Sequence, residues 1–162
     1  MKEKMWRLWK TIATVFVLAV AVNYPWELAQ APLYEGMSDF SLALWHCLVA
    51  SLGDGLLVLL IFGAGWAALR RSDWFVNPGR RGYLVMLAAG LAIALGVEWA
   101  AVHVAGQWTY APRMLVIPIF NIGLAPIAQM LALPPLVFRA VAVSIRRGVR
   151  DGEGGGDSGE IQ

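Results

Sequence analysis

Charge, histidine and cysteine are all scarce in this sequence. Only 15% of its 162 residues are Asp, Glu, Lys or Arg, where a water-soluble domain carries about a quarter. The single cysteine, Cys47, excludes an internal disulfide, and its expected role is that of a small buried apolar residue. There are two histidines, His46 and His103, and no HxxxH or ExxH pair, so a metal centre starts from a weak ligand set. No phosphate-cradling loop is present, because Gly53-Asp54-Gly55 and Gly63-Ala64-Gly65 lie inside an apolar run and read as close-packing notches. No internal repeat is visible, and no nucleic-acid partner is expected.

What the chain does have is apolar length. Hydrophobic residues make up 59%, the mean hydropathy is +0.61, and several of the 8 Trp sit at the edges of apolar runs. Indole favours membrane edges because one end is apolar and the other wet. Four spans are expected, at about 11–30, 40–69, 82–105 and 121–145, within one domain of residues 1–147. The last region holds Pro118, Pro126, Pro134 and Pro135; cutting it into two spans leaves the second too short for about 30 Å of hydrocarbon. The expectation is therefore an all-α membrane protein: a four-helix bundle whose last helix is proline-kinked, preceded by a loop or interfacial segment at 114–120. Residues 148–162 (GVRDGEGGGDSGEIQ) are expected to form a disordered, solvated tail.

Positive charge orients the bundle. Lys2, Lys4, Arg7 and Lys10 precede the first run, Arg70, Arg71, Arg80 and Arg81 lie between the second and third, and Arg139, Arg146, Arg147 and Arg150 flank or follow the last. Only Arg113 falls elsewhere. This asymmetry implies a multi-pass protein of a bacterial inner (cytoplasmic) membrane with both termini cytoplasmic. The start also resembles a cleavable signal peptide with Ala19-Val20-Ala21 at its end. Against cleavage, Asn23, Glu27, Gln30 and Tyr34 share a face of a helix continuing past Ala21.

Inside these apolar runs stand Glu27, His46, Asp54 and Glu98. A charge at the bilayer centre costs about 2.5–3.5 kcal/mol on insertion scales, so such groups face a bundle interior and mark functional sites by default. Under the four-span topology Glu27, His46 and Glu98 fall in the outer half with Asn23, Gln30 and Asn121, while Asp54 lies deeper and reads as separate. Gln129 falls roughly 80° off the small-residue face Asn121, Ala125, Ala128, Ala132. His103 lies about 140° from Glu98 and joins it only if the helix loosens near Gly106.

Three chemistries compete for this set. Interhelical glue is one, since polar pairs in membranes contribute about 0.6–2 kcal/mol each. Acid/base work on a hydrophobic isoprenoid or lipid-like molecule is the second: Glu27, Glu98 and His46 are the catalytic candidates, and Asn23, Gln30, Asp54, Trp99, His103, Trp108, Tyr110 and Asn121 the binding candidates. The third is proton, ion or metal handling, with His46 and His103 beside Glu27 and Glu98 as the ligand option; no cofactor is expected. Expected partners are the bilayer, a hydrophobic small molecule, and a second copy or another membrane subunit.

The residues Asn23-Tyr-Pro-Trp-Glu-Leu, Trp45-His46, Glu98-Trp99, Trp108-Thr-Tyr110 and Pro134-Pro135 resemble a family of small, functionally uncharacterised bacterial membrane proteins. That resemblance implies a multi-span inner-membrane protein and no particular activity. The stretch from Glu98 through an aromatic turn to a proline in the next helix is loosely similar to membrane carotenoid cyclases and hydratases. It implies acid chemistry on an isoprenoid and lacks their full acidic motifs.

Overall fold

Four long helices dominate the computed structural model, which describes residues 2–37 and 40–154. They are α1 (Lys2–Gln30), α2 (Phe40–Leu69), α3 (Gly79–Trp99) and α4 (Leu124–Gly154). All four are long and apolar enough to cross a membrane. α1 and α3 each pack along both α2 and α4, while α2 and α4 meet only briefly, giving a square bundle. The outer surface is apolar: Leu52, Leu56 and Leu60 form an i, i+4 stripe facing away from the bundle. In water such a stripe is an aggregation liability; against lipid it is the expected solvent face.

The two ends of the bundle are built differently. The end carrying the N-terminus, the 70–78 loop and the C-terminal half of α4 is solid. Val15 and Ala19 of α1, Val58, Ile61 and Phe62 of α2, Met86 of α3, and Val137, Phe138 and Val141 of α4 close around Trp74 and Phe75 from the loop. Trp74, 1% exposed, donates its indole N–H to the Phe62 carbonyl at 3.1 Å. Its ring fills the notch at Gly65, where a Cβ would collide with it. Arg146 of α4 latches the same loop through the Val76 carbonyl and Asn77 Oδ1. Val15 and Ala19, both completely buried, bind the first helix into this core.

At the opposite end two loops are tied together. Ala31–Leu33 form a short 3-10 turn, and Ala111 N–H donates to Leu33 O and Glu35 N–H to Thr109 O, both at 2.9 Å. α3 ends in a π turn, Ala100–Val104, with Ala105 N–H reaching Ala100 O. Gly106 at φ +57° then lets Gln107 N–H return to Ala101 O. The expected loop or interfacial segment at 114–120 is in part a hairpin, β1 (Val116–Ile117) and β2 (Ile122–Gly123), with Val116 opposite Gly123.

Several boundaries differ from expectation, and α3 is one case, starting at Gly79 rather than 82 and ending at Trp99 before its π turn. α4 starts at Leu124 rather than near Asn121, because Asn121 closes the hairpin in the left-handed region at φ +49°. Pro126 then occupies the first turn, where a missing N–H costs nothing. At the other end α4 runs through Gly154, seven residues into the expected tail; the remainder of that tail lies outside the described residues. α1 begins at Lys2, so its basic stretch is helical as well.

α4 absorbs Pro134 and Pro135 in mid-helix. Proline cannot bond back four residues, so Pro134 frees the Met130 carbonyl. Gly90 of α3 sits against that oxygen: a Cβ there would lie 2.5 Å from Met130 O. The backbones approach closely because one helix has lost a hydrogen bond and the other has no side chain.

Candidate functional site

At the looped end the bundle is hollow. A cavity of about 680 Å³ opens among α1, α2, α3 and the two loops, with α4 as its back wall. Glu27, Asp54, Gln129 and Glu98 supply its polar surface, and Leu57, Ala94, Val97, Pro126 and Met130 much of its apolar surface. Gly53 belongs to this wall too. A Cβ there would meet nothing within 4 Å, so Gly53 is open space rather than the expected notch, whereas Gly55 does pack tightly on Phe16 and Val20. Trp45 and Val49 of α2 and Val97 of α3 line the cavity while being 64%, 51% and 41% exposed, so it is open on the side between those helices.

A polar network forms the floor, and unambiguous donors and acceptors orient it. Trp26 can only donate, so its N–H fixes the Gln30 carbonyl oxygen, at 3.2 Å, and turns the Gln30 amide nitrogen toward Glu27 Oε1 (2.7 Å) and Gln129 Oε1 (3.1 Å). At the other edge the Ala19 carbonyl can only accept. It takes the Asn23 amide N–H at 2.8 Å and turns Asn23 Oδ1 toward Gln129. Gln129 Nε2 is thereby left facing three oxygens at 2.8 Å each: Asn23 Oδ1, Glu27 Oε1 and Asp54 Oδ2. Side chains from α1, α2 and α4 thus meet at one amide that is 1% exposed.

Asp54 is therefore not separate from the other acids, as expected from its depth. It lies across the floor from Glu27, and Gln129 bridges the two carboxyls. Gln129 was the residue that sequence reasoning passed over. Helix spacing leaves it off the small-residue face, and only its partners on α1 and α2 bring it to the floor.

Glu98 is held differently. Its Oε1 accepts the Tyr110 hydroxyl at 2.6 Å and the Trp108 indole N–H at 3.3 Å, and the Tyr110 oxygen accepts Gly123 N–H at 2.8 Å. Glu98 thereby ties the loop and hairpin to α3 while lining the cavity rim. Burial, then the neighbouring Glu98 carboxyl, pushes the Tyr110 phenol above its ordinary value. Tyr34, outside the span and edge-on to Trp108 at 6.1 Å, is raised by burial and then by Glu98 and Glu27. Both phenols therefore stay protonated, and Tyr110 serves as a donor to Glu98.

His46 lines the cavity with its Nδ1 2.9 Å from Leu42 O. A carbonyl accepts only, so Nδ1 carries the proton and Nε2 of the neutral ring is an acceptor. Of the remaining candidates, Gln30 and Trp108 line the cavity and Asn23 backs its floor. Four lie outside. His103 does not join Glu98, although the helix loosens: its Nε2 lies 3.0 Å from Phe120 O, and its ring contacts Trp99 at 5.9 Å. Trp99 is half exposed, and Tyr110 and Asn121 line a smaller recess on the far side of the loop. No group of three or more His, Cys, Asp or Glu suited to a metal occurs among the described residues.

No family model matches this chain, and neither the curated proteins nor the solved structures yield a match.

Proposed function

We propose that this is a membrane protein that takes a lipid-like molecule with a polar end, such as an isoprenoid, into its cavity and performs acid/base chemistry on it. One observation carries the reading: an intramembrane cavity of about 680 Å³ with apolar walls, an acid and amide floor, and an opening toward lipid between α2 and α3. Its size is that of small-molecule sites, which pair apolar walls with a few converging polar groups. Glu27 and Asp54 are the acid/base pair, His46 Nε2 is the nearby base, and Gln30 and Gln129 hold the acids in place. Glu98 positions the roof through Tyr110 and Trp108 rather than acting on the occupant.

The solid aromatic half of the bundle supports binding over conduction, since an ion crossing it would meet Trp74, Phe75 and Phe138 with no carboxylate to follow. The distribution of Lys and Arg supports a reading in which the solid end faces the cytoplasm of a bacterial inner membrane and the cavity lies in the outer half. A structural subunit is the second reading, favoured by the fact that every buried polar side chain among the described residues has a partner.

Lipid-extract mass spectrometry on purified protein separates the two. Gly53→Phe fills the cavity where space is open and leaves the packed faces alone. A stoichiometric apolar species in the wild type, absent from Gly53→Phe, supports the binding reading. No such species in either protein, at equal thermal stability, leaves the structural subunit.

A further inference from the structure

The charge of the cavity narrows the chemistry of its occupant, given the reading above that it is a binding site. Three carboxyls line it, Glu27, Asp54 and Glu98, and no Lys or Arg does. The groups facing the floor are Glu27 from α1, and Asp54, His46 and Cys47 from α2. Glu98 stands on α3, Tyr34 on the loop, and α4 contributes only the uncharged Gln129. None of these is a permanent cation. Net negative charge in an apolar, low-dielectric site needs a compensating positive charge close by.

The hydrogen bonds of the floor show how that charge is compensated from within. Gln129 Nε2 has two N–H bonds and three oxygens around it at equal distance. Glu27 Oε1 also takes an N–H from Gln30, while Glu27 Oε1 and Asp54 Oδ2 both stand 2.8 Å from the Gln129 nitrogen. Two ionised carboxylates offer only acceptors, so two N–H bonds among three oxygens leave the floor one donor short. One proton shared by the pair supplies the missing donor and removes one negative charge.

We propose that the cavity takes a lipophilic organic cation, a hydrophobic amine or quaternary onium, which enters in exchange for the proton shared by Glu27 and Asp54. The exchange balances: the pair releases one H⁺ to water or to His46 Nε2, and the guest brings one positive charge into the same space. No covalent bond is made or broken in the guest. Aromatic groups stand where such a cation would rest, with Trp45, Trp108 and Tyr34 on the wall above the acids, and ring faces attract cations that have shed their water. The same three carboxyls repel phosphate and carboxylate head groups, so anionic lipids and prenyl diphosphates are disfavoured. The lateral opening admits a molecule dissolved in the bilayer.

The test uses full-length protein in nanodiscs and three probes: tetraphenylphosphonium, tetraphenylborate of the same size and opposite charge, and geranylgeraniol as a neutral isoprenoid. Binding is measured by equilibrium dialysis against Gly53→Phe as the filled-cavity blank. Proton release is read by calorimetry in two buffers of different ionisation enthalpy. The expected result is saturable binding of the phosphonium with about one proton released and no saturable binding of the borate. Asp54→Asn keeps an amide in the network; with its thermal unfolding measured alongside, it is expected to bind the phosphonium at least tenfold more weakly and to release no proton. Saturable binding of geranylgeraniol alone, or of the phosphonium without proton release, overturns the cation exchange and leaves the binding function standing. If none of the probes binds above the blank, both fall.

Discussion

Replacing Gln129 by Met tests whether one amide holds three helices together. The side chains are close in length and volume, so the variant removes polarity with little change in packing. The structure allows the loss to be counted. Gln129 donates two N–H bonds among Asn23 Oδ1, Glu27 Oε1 and Asp54 Oδ2, and accepts one from Gln30. Three interhelical hydrogen bonds at about 0.6 kcal/mol each come to about 2 kcal/mol. Glu27 and Asp54 line the cavity and can turn to water, but Asn23 is completely buried and its oxygen has no other donor among the described residues. An unsatisfied buried acceptor adds about 1–3 kcal/mol. The sum is about 3–5 kcal/mol, and at roughly 2–4 °C per kcal/mol for a chain of this size the melting temperature should fall by about 6–20 °C. Thermal unfolding of detergent-solubilised protein, followed by tryptophan fluorescence, reads it directly. Leu56→Ala is the control: its side chain faces lipid, and a shift within about 2 °C is expected. A Gln129→Met protein melting within that same margin would refute the claim that the floor is an energetic hub.

Gly90→Ala should destabilise more than a helix-interior Gly→Ala change normally would, because the new Cβ meets the Met130 carbonyl at 2.5 Å; the expected loss is about 1–3 kcal/mol in the same melting assay, and a gain in stability would mean that α3 and α4 do not meet there. Raising the pH above the ordinary phenol value of 10.0 should destabilise the fold through Tyr34 and Tyr110, whose phenols are raised in the folded state. Below that value both states are neutral and the contribution is intact; above it the unfolded chain ionises first and stability falls. The double variant Tyr34→Phe, Tyr110→Phe should show a shallower alkaline decline than the wild type, and equal slopes would count against the burial of these phenols. Orientation is open to thiol labelling in a Cys47→Ala background: Glu35→Cys should react with an impermeant reagent added outside whole cells, and Asp73→Cys, at an exposed position on the 70–78 loop, only after lysis. The reverse pattern would invert the topology argued from Lys and Arg.

The end of the bundle at which a polar residue stands follows from order along the chain; which side chains meet follows only where helix phase can be trusted. The spans follow from apolar length alone, and α2 at Phe40–Leu69 has the expected limits because no proline and no run of charges interrupts it. On α1, Asn23, Glu27 and Gln30 were placed on one face by spacing, and all three join the floor, since the helix passes Pro25 and keeps its count. On α4 the same method failed. Asn121, Ala125, Ala128 and Ala132 read as a close-packing face, yet Asn121 stands in the hairpin's left-handed turn and Ala132 is exposed. Gln129 lies about 70° from that face and about as far from the line of Met130, Leu133 and Val137, so phase alone does not place it and its partners on α1 and α2 do. His103 failed for a related reason: the π turn did loosen the helix, but it sent the ring to the hairpin carbonyl of Phe120, a partner 17 residues away that local spacing cannot name. Asp54 was set apart by depth and joined to Glu27 by Gln129, a contact that spans 75 residues on one side and 102 on the other. A polar group in a membrane bundle is thus placed by the partner that satisfies it, and where that partner lies on a helix whose register is set by a turn, the turn decides the site.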